Sequence, residues 1–193
     1  MAGEDKILNY IDLPLQHASG RILSAMNRKG DAESLEALIK NIRAKLPGCI
    51  IRTTLICGFP GENEEDFETL CSFVKKLKFE RLGCFAYSCE EDTPAACFQQ
   101  IDEDVKFRRA EHVSLMWQDI GEAFAGSNIG RTLTVLCEGK TEEAMYLGRS
   151  YMDAPDVDPQ VFFTSEDDIL PGDMVRVRIT GSSGLDLVGE RVL

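Results

Sequence analysis

The sequence predicts an α/β fold in which a partial (half) parallel β/α barrel is followed by a small antiparallel β-barrel. In the first two thirds of the chain, three apolar runs alternate with helix-like segments, which is typical of a parallel sheet covered by helices. Beyond about residue 125 the runs become short and are separated by Gly, Pro and Asp turns, which favours about five antiparallel strands. We therefore predict domains at residues 7–125 and 126–193.

Three runs in the first domain are predicted to be buried strands because they are apolar throughout instead of alternating with polar residues. Three strands make half of a barrel or a partial open sheet, and the first of them lies near the start of the chain. This arrangement indicates a piece of a larger barrel. The predicted strands are residues 7–15, 49–57 and 81–88.

The helices between these strands are marked by N-cap residues. Asp31 and Asn63 precede segments whose apolar residues recur at helical spacing, and Ser19 could cap a shorter helix. A further long helix is predicted from Asp102 to about Phe124.

The second domain is predicted from five short runs that recur at roughly ten-residue spacing, as expected for a small antiparallel barrel. The runs are RTLTVLCEG, EAMYLGRSY, QVFFTS, DMVRVRITG and LDLVGERVL.

Charge and cysteine content narrow the class of protein. The net charge of −12 argues against broad binding to a phosphate backbone and favours a small ligand or a basic protein. The seven cysteines form no C-x-x-C pair and lie mostly in apolar runs, which indicates buried thiols in a reducing cytoplasm. No run approaches the length of a membrane-spanning helix, so we expect no membrane contact.

Polar and turn-forming residues follow each predicted strand, in PLQHAS, GFPGE and YSCEEDTPAA. The carboxyl ends of parallel strands lie at one edge, so we expect these segments to converge on one rim. GFPGE lacks the Lys-Ser/Thr of a phosphate loop and is followed by acidic residues. It is either a simple turn before a capped helix or a backbone edge that holds a neutral ring such as adenine.

Several other residues have both a functional and a structural interpretation. His17 alone is more often structural than catalytic, and with His112 as the only other histidine we predict no metal site. Arg52 is either a surface cation at a strand entry or the partner of a carboxylate. We interpret Cys57 and Cys84 as small core residues.

Taken together, these segments resemble the methylthiotransferase branch of the radical S-adenosylmethionine (SAM) enzymes. The matching stretches are LPLQHASGRILSAMNR, IRTTLICGFPGENEEDFETL and LGCFAYSCEEDTPAA, and the C-terminal part resembles a TRAM domain. The stretch LGRSYMDAPDVD is characteristic of the RimO type, which methylthiolates an aspartate of small-subunit ribosomal protein twelve. The resemblance covers nearly the whole chain.

The resemblance implies S-adenosylmethionine as cofactor, together with two 4Fe–4S clusters in the full-length enzyme. The C-x-x-x-C-x-x-C motif of these enzymes does not occur in this sequence, so we expect no cluster, no metal site and no catalytic residue in this part. The resemblance assigns the cofactor pocket to Gln16, Arg52, Ile56, Gly58 and Phe59, with Arg52 opposite the cofactor carboxylate.

The implied partner is a basic ribosomal protein of the small subunit. Asp153, Asp156 and Asp158 lie in a stretch bounded by prolines, which we predict to be a docking loop, although a solvated acidic turn explains the charges equally well. RNA is disfavoured because residues 126–193 contain six Lys or Arg against twelve Asp or Glu. The alternatives are a tRNA methylthiotransferase and a noncatalytic binding module, whereas an aldolase-type barrel would need a strand-end lysine.

Overall fold

A computed structural model describes residues 4, 6–142 and 145–193 of the chain. These residues form two compact units. The first is built on Ile11–Ile120, and the second consists of Gly121–Leu193 and also takes in Tyr10.

The sheet of the first unit contains three strands in the order β1-β2-β3, and β2 and β3 run parallel. Beyond β1 the extended chain continues beside β2, where Gln16 forms a parallel bridge with Leu55. The first strand is shorter than predicted, and beyond Asp12 the backbone continues to pair with β2 through Leu13 and Gln16. The strands are β1 (Tyr10–Asp12), β2 (Ile50–Cys57) and β3 (Arg81–Ala86).

Two helices begin directly after their predicted N-cap residues. Asp31 accepts the Ser34 N–H and Asn63 accepts the Asp66 N–H, both at 2.9 Å, which satisfies amides that a helix leaves unpaired. Ser19 occupies the N-cap position of the first helix but makes no side-chain cap. The helices are α1 (Gly20–Ala25), α2 (Ala32–Lys45), α3 (Glu64–Leu77) and α4 (Glu103–Gly126), with a 3₁₀ turn at Pro94–Cys97.

The core of the first unit lies on one face of the sheet. On β2 buried residues alternate with half-exposed ones, so only one face of this strand is covered. The prediction that β2 is buried on both faces was therefore wrong. Trp117 of α4 donates its indole N–H to the Phe79 carbonyl at 2.9 Å, which satisfies the polar atom of a large buried side chain.

The second unit is the five-stranded closed barrel that the sequence predicts, with strand order β4-β5-β6-β8-β7. Its pairs are antiparallel except β6–β8, which is parallel. Tyr146 and Phe163 stack in its core with ring centroids 5.5 Å apart. Glu143 and Ala144, at the start of one predicted run, lie outside the described residues. The strands are β4 (Thr132–Lys140), β5 (Tyr146–Arg149), β6 (Val161–Thr164), β7 (Met174–Ser183) and β8 (Asp186–Val192).

In the described part of the chain, no helix has the length and apolar character needed to cross a membrane.

Candidate functional site

The three polar segments that follow the strands of the first unit meet at one rim, which confirms the prediction from their order. Ser19, after β1, donates its hydroxyl to Asp66 at 2.6 Å. Phe59, after β2, packs edge-on against Tyr87, after β3, with ring centroids 5.1 Å apart. The rim is therefore a single surface built from loops that are far apart in sequence.

Glu62, the last residue of GFPGE, is a completely buried carboxylate within this rim. Its Oε2 accepts the Gly58 N–H at 2.8 Å and lies 3.3 Å from Nε2 of the equally buried His17. Its Oε1 accepts from Arg109 of α4 at 2.8 Å. This single carboxylate thus contacts the loop after β1, the turn after β2 and helix α4.

Asp66 forms a second link between the loop after β1 and the start of α3. It accepts hydrogen bonds from Ser19, from Arg21 and from the Asn63 N–H. Burial alone raises the pKa of Asp66, but the hydrogen bonds from Ser19, the Asn63 backbone and Arg21 outweigh it, so that pKa lies below its usual 3.8. The carboxylate is therefore charged at neutral pH and holds its partners as an anion.

Gly58 adopts a left-handed conformation, with φ of 78°, directly against α4. A Cβ built on this residue would lie 2.4 Å from Cγ and 2.8 Å from Cβ of Lys106. Lys106 is itself fully buried, and its Nζ donates to Glu103 at 2.6 Å. The missing side chain of Gly58 therefore makes room for a helix, which is a structural reason that the sequence pattern did not reveal.

Gln16 carries the clearest sign of an incomplete site among the predicted cofactor residues. Its φ of 71° is unusual for a residue with a side chain. Its Oε1 is buried and has no hydrogen-bond partner, although its backbone pairs with Thr54 and Ile56 of β2. A strained backbone together with an unsatisfied buried oxygen is typical of a ligand-binding position.

The other predicted cofactor residues lie along β2 and the turn after it. Gly58 and Phe59 are buried, and the Ile56 side chain is half-exposed. Arg52 shares the face of Ile56, about 13 Å further from the rim by strand geometry, and its guanidinium contacts Asp12 at 2.9 Å. The structure thus brings four of the five residues together at the rim and places Arg52 toward the opposite end of the strand.

The predicted docking residues of the second unit have unequal surroundings. Asp153 is buried and accepts from the backbone and hydroxyl of Ser150. Asp158 accepts the Tyr10 hydroxyl at 2.5 Å and the Ala154 N–H at 2.8 Å. Asp156 is exposed, with φ of 65°. Two of the three carboxylates therefore shape the loop, and of the three only Asp156 is exposed.

Cys57 and Cys84, on neighbouring strands, have their sulfur atoms 3.5 Å apart. The hydrogen bond with Cys84 and burial both raise the pKa of the Cys57 thiol far above its usual value. Burial raises the pKa of nearby Cys71 to about 11. The raised pKa values keep the Cys57 and Cys71 thiols protonated at neutral pH. Cys57 is buried, as predicted, whereas Cys84 is half-exposed, so the prediction of a core residue was wrong for Cys84. Within the described residues, no group of three or more His, Cys, Asp or Glu is arranged to hold a metal ion.

Three residues of the rim have roles that the sequence did not predict: Glu62, Arg109 and Lys106. A signal did exist for Lys106, because it continues the buried stripe of α4 that includes Ala110 and Val113, so a lysine stands in an apolar register. No local sequence pattern indicated the roles of Glu62 and Arg109, because these roles depend on the contact between the two side chains.

Comparison with known proteins agrees with both units. The Radical SAM superfamily matches residues 2–74, and the TRAM domain matches residues 129–192. The coproporphyrinogen III oxidase HemN from Escherichia coli, a radical SAM enzyme, aligns with 61% of this chain and 28% of its own at 22% identity and a TM-score of 0.49.

Three curated relatives bear the name ribosomal protein uS12 methylthiotransferase RimO. The protein from Pelotomaculum thermopropionicum is 46% identical over all of this chain and 44% of its own. Those from Lachnoclostridium phytofermentans and Clostridioides difficile are 45% and 44% identical, over 98% and 96% of this chain and 43% and 42% of theirs. The chain is therefore similar along nearly its whole length to curated RimO-type methylthiotransferases, and it spans less than half the length of these relatives.

Proposed function

We propose that this chain supplies the cofactor-facing edge and the docking barrel of a methylthiotransferase that modifies an aspartate of ribosomal protein uS12 in the cytoplasm. Support comes from the names of the relatives and from the two matched domains. When bound, S-adenosylmethionine supplies the radical chemistry and the methyl group in this family. The chain's own residues bind and orient that cofactor.

The observation that carries this proposal is the unsatisfied Oε1 of Gln16 at the rim. A buried acceptor without a partner is costly, and a ligand with N–H or O–H donors relieves that cost. The adenosine part of S-adenosylmethionine offers such donors. The half-exposed side chain of Ile56 provides an apolar contact beside them, as a neutral ring requires.

Arg52 fits the other end of an elongated ligand that lies along the half-exposed face of β2. Because Arg52 and Ile56 share this face, S-adenosylmethionine with its adenosine at Ile56 would extend its methionine carboxylate toward the guanidinium. Asp12 already contacts that guanidinium and competes with a ligand carboxylate. This competition makes the assignment testable with a pair of variants.

In the full-length enzyme, we expect Arg52→Ala to weaken S-adenosylmethionine binding about tenfold or more, because a charge-assisted hydrogen bond contributes roughly 1.5–3 kcal/mol. Asp12→Asn should leave the affinity unchanged or improve it, since it removes the competing anion. Titration calorimetry measures both. Equal affinities for wild type and both variants would show that Arg52 serves only to pair with Asp12.

We propose further that the barrel binds a basic protein surface rather than RNA. The acidic composition of residues 126–193, with twelve acidic against six basic side chains, supports this choice. Exposed acidic residues steer a basic partner mainly by raising the association rate. Of the predicted docking residues, Asp156 is the one placed to act in this way.

Asp156→Asn should therefore slow association of the full-length enzyme with purified uS12 at low salt, by roughly twofold for a single exposed charge, and the difference should shrink as salt screens it. Glu166→Gln, which neutralises an exposed residue on another loop of the barrel, is the matched control. Stopped-flow mixing at two salt concentrations gives the rates. Identical slowing in both variants would assign the effect to net charge and remove the loop from the docking site.

A further inference from the structure

Glu62 lies behind the proposed cofactor edge, with a completely buried side chain whose carboxylate faces donors from the protein itself. We infer that Glu62, together with His17 and Arg109, is the positioning network that fixes this edge for cofactor binding. The inference rests on the proposed function.

The geometry of the network defines which atoms carry protons. Nδ1 of His17 accepts the Ser19 N–H at 2.9 Å, so in the neutral ring the proton lies on Nε2, which faces the Glu62 carboxylate at 3.3 Å. That contact is close but not aligned as a hydrogen bond. Every group around Glu62 is thus a donor: the Gly58 N–H, the Arg109 guanidinium and the His17 N–H.

Each donor belongs to a segment that carries or supports a proposed cofactor residue. His17 directly follows Gln16, and Gly58 belongs to the edge itself. Arg109 lies one helical turn from Lys106, whose stem contacts the Cα side of Gly58. A shift of Glu62 would therefore move Gln16 and Gly58 relative to each other. Glu62 would thus affect cofactor binding through these two residues and not through a contact of its own.

A buried ion pair is a poor way to gain stability, because desolvation offsets most of the Coulombic attraction. Apolar packing would hold the same turn equally well. What a carboxylate adds is direction, since it offers only acceptors: it accepts from Gly58 and Arg109 and holds the His17 N–H close by. We therefore assign the network to positioning rather than to stability alone.

The first test compares Glu62→Gln with Glu64→Gln in the full-length enzyme. Glutamine places an NH₂ group among donors, so one of the three partners must be lost. Glu64 also contacts Arg109, at 2.9 Å, but is 71% exposed, and exposed pairs contribute little. We expect Glu62→Gln to weaken S-adenosylmethionine binding at least tenfold by calorimetry, and Glu64→Gln to leave it unchanged.

The second test uses two replacements of His17, which leave the Glu62–Arg109 pair intact should Glu62→Gln fail to fold. His17→Gln keeps a donor near the Nε2 position, whereas His17→Asn keeps only an acceptor near Nδ1. Positioning through Glu62 predicts that His17→Gln retains most of the affinity and that His17→Asn loses at least fivefold. Circular dichroism at the binding temperature verifies that each variant is folded.

A purely structural role would lower the unfolding temperature of the variants without changing the affinity of the folded protein, and that result overturns the inference. So does equal affinity of the two His17 variants. If wild-type enzyme itself does not bind S-adenosylmethionine, the proposed function fails instead. The two failures are therefore distinguishable.

Discussion

Gly58→Ala should destabilise the first unit by about 3 kcal/mol or more. A left-handed conformation strains an alanine by roughly 1–3 kcal/mol, and overpacking adds about 1–3 kcal/mol. The new Cβ would meet the Lys106 stem at 2.4 Å and its Cα at 3.0 Å, and the Cα belongs to a helix backbone that cannot rotate away.

Gly61→Ala is the matched control within the same turn. Its φ of 89° imposes similar backbone strain, but the nearest atom to the added Cβ is Nη1 of Arg21, at 3.7 Å. We expect a loss of about 1–2 kcal/mol from the backbone alone. Urea unfolding followed by fluorescence of Trp117, the single tryptophan, reports on the first unit. Equal losses of unfolding free energy in the two variants would mean that the Lys106 side chain moves aside. The contact with α4 would then not be the reason that position 58 requires glycine.

Gly148→Ala should lower the free energy of unfolding of the barrel by about 3 kcal/mol or more. The cause is overpacking against the backbone of the neighbouring strand. Gly148 lies opposite Cys137 in the β4–β5 ladder. A Cβ at this position would lie 2.1 Å from the Leu136 carbonyl oxygen and 2.9 Å from the Val135 side chain. The two strands would have to separate, so the clash opens the ladder.

The reactivity of Cys137 provides a local measurement of this opening, because its side chain is buried and burial raises its thiol pKa. Faster alkylation of Cys137 is expected in Gly148→Ala. Gly139→Ala, in β4, is the control, because a Cβ there meets no atom within 4 Å, and its alkylation rate should stay close to wild type. If Gly148→Ala has the wild-type alkylation rate of Cys137 and the wild-type free energy of unfolding, the two strands can accommodate the added Cβ and the prediction is wrong.

The fold class followed from the sequence because its signals are local. Asp31 and Asn63 cap their helices through N–H groups only three residues away, so the residue type and spacing suffice to predict them. The barrel strands alternate because their side chains point in turn to the core and to solvent. The convergence of the loops at the rim was equally predictable, since parallel strands place their carboxyl ends at one edge.

The surroundings of the candidate site depended on the tertiary structure. Glu62 and Arg109 are 47 residues apart, and neither residue alone indicates that the other will neutralise it. Asp153 resembles an exposed loop residue in sequence, yet it is buried against Ser150. The physical reason is the range of the interactions. Caps and periodicity act within a few residues, whereas charge pairing, burial and close backbone approach depend on which distant segments the fold brings into contact.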